Sequence, residues 1–165
     1  MTAATAAETC AFVIGPDGLA RLAGEQAEAW TGWLRAHRRL TRELETALQD
    51  RHGLTLSALQ LLGRLADAEQ RRMRIARLAE QPGLSLSRTS RLLDSLEQRG
   101  LLKRQPCPED SRASNVQLTA AGLRLAREAQ ATHLADVQRV FFDRLTTRQI
   151  STLAAAFTRL AKQAR

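Results

Sequence analysis

Ser87, Arg88, Ser90 and Arg91 stand close together at the start of a helical stretch that opens at Ser85, and Lys103, Arg104, Asp110 and Arg112 follow soon after. These side chains suit a negatively charged, hydrogen-bonding partner. The unpaired N–H groups and partial positive charge of a helix N-terminus suit a phosphate. Arg88 or Arg91 can bind guanine with two parallel hydrogen bonds, and the Ser85, Ser87 and Ser90 hydroxyls are less selective. Asp110 lies two residues before Arg112, so its carboxylate can accept hydrogen bonds from that guanidinium and orient it. An Arg so oriented suits a narrow, A·T-rich minor groove, where negative potential is concentrated. Lys103 and Arg104 either meet phosphates, which position a protein without specifying sequence, or brace the fold.

The elements that must present these residues are legible around them. From Ser85 to Gly100, Thr89, Leu92, Leu93 and Leu96 share one helical face. Ser87, Arg91, Asp94 and Gln98 lie opposite, flanked by Arg88, Ser90 and Ser95, and Gly100 ends the helix. Leu101 to Gln105 and Ser114 to Leu118 then read as two strands around a charged, proline-bracketed tip at residues 106–113. That order is a groove-entering helix followed by a β-wing.

Upstream, Trp30, Trp33, Leu34, His37, Leu40, Leu44 and Leu48 recur at helical spacing from about Arg21 to Asp50, and Gly53 closes that helix. Thr55 caps a helix from Leu56 to about Ala66, a polar connection covers 67–72, and Met73-Arg74 reads as a short extended piece. A short helix spans Ile75 to Glu80, ended by Gln81-Pro82-Gly83. Downstream, Thr119 caps a long helix to about Arg144, with Leu123, Ala126, His133, Leu134, Val137, Val140 and Phe141 as its apolar stripe. Thr146 or Thr147 caps a last helix carrying Ile150, Leu153, Phe157 and Leu160. Residues 1–20 read as an arm with at most one short helix and a turn at Gly15-Pro16-Asp17-Gly18. The fold class is therefore mainly α with a small β-wing. A winged helix–turn–helix DNA-binding domain (54–118) is flanked by a helical dimerisation region (21–53 and 119–165), because those terminal helices carry apolar stripes that nothing else covers.

Composition agrees. Of 165 residues 44% are hydrophobic but only 4% aromatic, with no Tyr, so Leu and Ala must supply a helical core. A formal net charge of +8 suits a polyanion such as double-stranded DNA. Cys10 and Cys107 form no CxxC or disulfide framework. The N-terminus lacks a signal peptide's basic and apolar regions, and no apolar run approaches the ~20 residues that span a bilayer. The expectation is a soluble, cytoplasmic protein without a membrane partner.

Leu78-Ala79, Leu92, Asp94, Leu96, Arg99-Gly100-Leu101, Arg104, Asp110-x-Arg112 and Leu118-Thr119-x-x-Gly122 together resemble the multiple-antibiotic-resistance regulator (MarR) family of bacterial transcription factors. The resemblance runs from about Trp30 to the C-terminus. It implies an obligate homodimer formed by the terminal helices, bound to a pseudo-palindromic operator, usually as a repressor relieved by a small ligand or an oxidant. It implies that Asp110 and Arg112 read the minor groove. It also implies a ligand crevice between the dimerisation helices and the winged domain, which Trp30, Trp33, His37 and Arg38 could line unless the aromatics simply pack a dimer core. His133, on the apolar stripe, is either a satisfied core residue or a ligand- or pH-coupled group.

Two other readings remain open on the same scaffold. Cys107 is a redox candidate, although Glu109 and Asp110 make its setting acidic and no resolving cysteine is near. A sequence-indifferent architectural DNA binder is the other. For an enzyme the chain offers no phosphate-cradling glycine loop, GxSxG elbow or HExxH, and its three histidines lack metal-ligand spacing. No cofactor and no metal is expected.

Overall fold

A computed structural model of the chain describes residues 12–80, 85–107 and 110–163, the side chains of Cys107, residues 110–113 and Gln163 excepted. It divides into two compact units, Met1–Arg42 and Glu43–Arg165. In the first, β1 (Phe12–Ile14) pairs antiparallel with β2 (Ala20–Leu22), Phe12 opposite Leu22. The turn between them decides this. Gly18 takes the left-handed φ of +75°, and the Asp17 carboxylate accepts hydrogen bonds from the Leu19 N–H at 3.2 Å and the Arg21 guanidinium at 2.8 Å. The Arg21 bond, and then the Leu19 one, hold the Asp17 carboxyl below its usual range. Residues 12–22 thus form a β-hairpin, and the rest of the arm, read as one short helix or none, lies outside the described residues. Helix α1 (Gly24–His52) starts after it and ends at Gly53, whose φ is +61°.

In the second unit, Thr55 caps α2 (Leu56–Asp67) by accepting the Ala58 N–H at 3.1 Å. Leu59, Leu61, Leu62 and Leu65 of α2 are all buried. They meet Leu48, Leu54, Leu78, Leu93, Leu96, Leu102, Val116, Leu118, Ala126 and Ala129 in one aliphatic core. Strand β3 (Arg72–Arg74) leads into α3 (Ile75–Ala79), and α4 (Leu86–Gln98) follows. Strands β4 (Leu102–Cys107) and β5 (Asp110–Leu118) form the hairpin, and β5 lies between β3 and β4 in an antiparallel sheet. Both hairpin strands run further toward the tip than the sequence suggested. Pro106 is tolerated because β4 is an edge strand with a register shift at Pro106/Cys107, so its missing N–H breaks no inner ladder.

Thr119 caps α5 (Ala120–Val140) by accepting the Gly122 N–H at 3.0 Å. The same hydroxyl lies 2.8 Å and 3.0 Å from the Gly100 and Leu101 carbonyl oxygens, to which it donates its proton. The Thr119 N–H also donates to the Leu101 oxygen at 3.1 Å. Gly100 and Leu101, between α4 and β4, are therefore tied to the cap of α5, and the wing hairpin is closed at its base. Helix α5 ends at Val140, before the expected Arg144. A single turn over Phe142–Arg144 intervenes, because Thr146 already caps α6 (Thr147–Gln163). The Gln149 N–H donates to the Thr146 hydroxyl at 3.4 Å, and the Gln149 side chain accepts the Thr146 N–H at 2.9 Å. Among the described residues no helix is long and apolar enough to cross a membrane.

Candidate nucleic-acid interface

The α4 periodicity places its groups as the sequence suggested. Thr89, Leu93 and Leu96 are buried, Leu92 is half-buried, and Ser85, Ser87, Arg88 and Arg91 are exposed with Ser90 at the margin. Ser85 caps the helix by accepting the Arg88 N–H at 3.3 Å, and its hydroxyl lies 3.1 Å from that of Ser87. Arg88 and Arg91 are three residues apart on this outward side, so their charges repel. Neither guanidinium has a hydrogen bond or ion pair among the described residues.

Their one acidic neighbour is engaged elsewhere. Asp94, three residues beyond Arg91, accepts a hydrogen bond from the Arg104 guanidinium at 2.5 Å. Arg104 also donates to the Ser90 carbonyl oxygen at 3.3 Å and lies 3.5 Å from the Glu97 carboxylate, which accepts the Arg104 N–H at 2.8 Å. Arg104 thus braces β4 against α4 and draws the negative charge of Asp94 away from the outward face. Lys103, its neighbour on β4, is exposed with no partner among the described residues. Asp110 and Arg112 lie on β5, nearer the tip than the β3-paired stretch, and Cys107 pairs with Asp110 across the hairpin. The side chains of Cys107, Asp110 and Arg112 fall outside the described residues.

Two supporting ties carry little local signal. Arg99 donates to the Gly53 and His52 carbonyl oxygens at 2.6 and 3.1 Å, fastening the end of α4 to the C-terminus of α1. Buried Asp136 of α5 accepts from Arg51 and Arg139, each at 3.0 Å. The Asp136 bond is the main cause that raises the Arg139 pKa. Arg99 was visible only as part of the Arg-Gly-Leu run, and Asp136 only as an acid on a helix with an apolar stripe.

The proposed ligand-pocket residues fall in both units. Trp30 stacks on Trp33 at 5.4 Å between ring centres, and Trp33 on His37 at 5.6 Å. Both tryptophans are about half exposed, and Arg38 is exposed as well. A shallow cavity on α1 is lined by Ala27, Glu28, Thr31, Gly32 and Arg35, and by none of these four residues. His133 is on α5 in the other unit, its Nδ1 buried with no partner among the described residues. Among the described residues no three His, Cys, Asp or Glu side chains converge as metal ligands do.

A sequence model of the MarR family matches residues 52–113. A MarR family transcriptional regulator from Streptomyces coelicolor, solved in complex with DNA, is 30% identical, with a TM-score of 0.79, over 88% of this chain and 94% of that one. AbsC, another MarR family transcriptional regulator from Streptomyces coelicolor, is 33% identical, with a TM-score of 0.76, over 87% of this chain and 97% of its own. A mutant MarR from E. coli complexed with operator DNA shares the fold at a TM-score of 0.68 and 21% identity, over 82% of this chain and 95% of that one.

Proposed function

The chain belongs to the MarR family of transcriptional regulators, and on that premise we propose that it acts in the cytoplasm as a homodimeric, sequence-specific DNA-binding repressor relieved by a small ligand. The carrying observation is the outward side of α4. Arg88 and Arg91 are exposed and unpaired among the described residues, while Arg104 occupies Asp94. Two like charges left side by side without a counter-ion are well placed to meet an external polyanion. The two relatives solved with DNA, one of them on an operator, support the same partner. Residues 54–118 form the DNA-binding domain in this reading, with α4 in the major groove and the wing, through Asp110 and Arg112, in the adjacent minor groove. Lys103 meets phosphate.

The test is operator selection followed by a salt-titrated binding assay. Arg112→Ala is expected to weaken operator binding by ~1–3 kcal/mol in each half-site, with the fold intact. Lys103→Ala is expected to lower affinity for every duplex alike and to reduce the salt slope. Equal affinity for selected and random duplexes would leave only a sequence-indifferent binder.

Residues 21–53 and 119–165 supply the dimer contacts in this reading. Phe157 of α6 is 45% exposed and Leu160 is 63% exposed, apolar surface that a lone subunit leaves in water. The protein is expected to scatter light as a dimer at micromolar concentration, with half-sites ~34–36 Å apart on the operator. Replacing Phe157 and Leu160 together with Asp is expected to shift it to monomer. A wild-type monomer that is folded and still binds operator at full affinity would refute this arrangement.

A further inference from the structure

The wing sheet carries two cross-strand rows that α4 does not use. Arg72, Gln117 and Lys103 form one, and Arg74, Asn115 and Gln105 form the next. The Gln side chains are committed to protein. Gln105 donates to Gln117 at 3.1 Å, and Gln117 donates to the Gln70 carbonyl oxygen at 3.5 Å. Asn115, in the middle of its row, is different. It is only 8% exposed, and its side-chain amide has no hydrogen-bond partner among the described residues. The little surface that Asn115 keeps includes its amide, so a donor and an acceptor stay open to solvent on one edge.

Asn115 lines a cleft of about 1000 Å³ with Arg64, Asp67, Arg72, Arg77 and Glu80 around it. Arg64 builds the wall, donating to the Arg77 and Leu78 carbonyl oxygens at 2.9 and 3.3 Å and so holding α3 against α2. On one rim Gln70 holds left-handed backbone at φ 52°, as does the next residue Arg71 at 54°, unusual for two successive residues other than glycine. Arg72 and Arg77 are exposed, with guanidiniums that have no partner among the described residues. The acidic groups Asp67, Glu69 and Glu80 also line the cleft. They disfavour a polyanion and leave room for a ligand of low charge.

A primary amide offers an N–H donor beside a carbonyl acceptor on one edge. Its complement is another amide, or a lactam, presented edge-on. A guanidinium complements a carboxylate through two parallel bonds. We propose that this cleft binds a small monoanion joining a carboxylate to an amide or lactam edge, the edge pairing with Asn115 and the carboxylate with Arg72 or Arg77. Binding here does not require operator binding.

Orotate has both groups, whereas uracil has the edge without the carboxylate and benzoate the carboxylate without the edge. Each is titrated into ¹⁵N-labelled full-length protein while the Asn115 side-chain NH₂ resonances are followed. Orotate is expected to shift them saturably and to bind at least about tenfold more tightly than uracil or benzoate. Asn115→Leu is expected to weaken orotate binding by at least about tenfold. Arg72→Ala with Arg77→Ala changes only exposed side chains, is expected to give the same loss, and decides the matter if Asn115→Leu fails to fold. Unmoved Asn115 resonances at about 10 mM orotate, equal binding of all three probes, or unchanged affinity in the arginine double variant would overturn the site.

Discussion

Arg91→Ala is expected to weaken binding to the selected operator by about 2–6 kcal/mol, because one substitution acts in both half-sites of a dimer. Arg91 is exposed and has no ion pair among the described residues, and its nearest acid, Asp94, is held by Arg104 at 2.5 Å. The variant therefore gives up no bond described within the folded protein. Thermal stability should hold while affinity falls. An operator library with single substitutions should show preference relaxed at one base pair per half-site, and Arg88→Ala serves as the parallel case. If Arg91→Ala weakens selected and random duplexes by the same factor, α4 acts as a phosphate clamp and the sequence-reading proposal is wrong.

Gly122→Ala is expected to destabilise the fold by about 1–3 kcal/mol, since a methyl group there has nowhere to go. An added Cβ would fall within the Leu101 carbonyl group and against Leu118 Cδ1, and the Leu101 oxygen is already fixed by the Thr119 N–H and hydroxyl. The Leu101 contact is backbone, which leaves little to yield. At about 2–4 °C per kcal/mol for a chain of this size, the loss is readable in a thermal melt. Gly63, inside α2, is the matched control, because nothing lies within 4 Å of a Cβ added there. Gly63→Ala is expected to stabilise by about 0.5–1 kcal/mol through helix propensity. A Gly122→Ala variant that melts with the wild type would show that α5 and the base of the wing are not locked together at this point.

Local chemistry was enough to read most of the elements from the sequence. Hydroxyl caps at Thr55, Ser85 and Thr119, the glycine at position 53 and the 3.6-residue spacing of leucines act within one or two turns, so helix starts and buried faces are written in neighbouring residues. The helix, wing and helix order around α4 follows from the same short-range signals, whereas the family came from the motif residues that resemble it. Where several local signals compete, the sequence was less exact. The Gly15 to Gly18 turn and the Asp17–Arg21 pair made residues 12–22 a hairpin, and the Thr146–Gln149 box ended α5 early. Tertiary structure alone decided which arginines are free. Arg88, Arg91 and Arg104 look alike in a sequence, and only the approach of β4 to α4 gives Asp94 to Arg104 and leaves the other two unpaired among the described residues. The burial of Asn115 and the convergence of Arg51 and Arg139 on Asp136 depend likewise on neighbours distant in the chain. Hydrogen bonds and ion pairs act over a few ångströms, so their partners are set by packing and not by spacing along the chain.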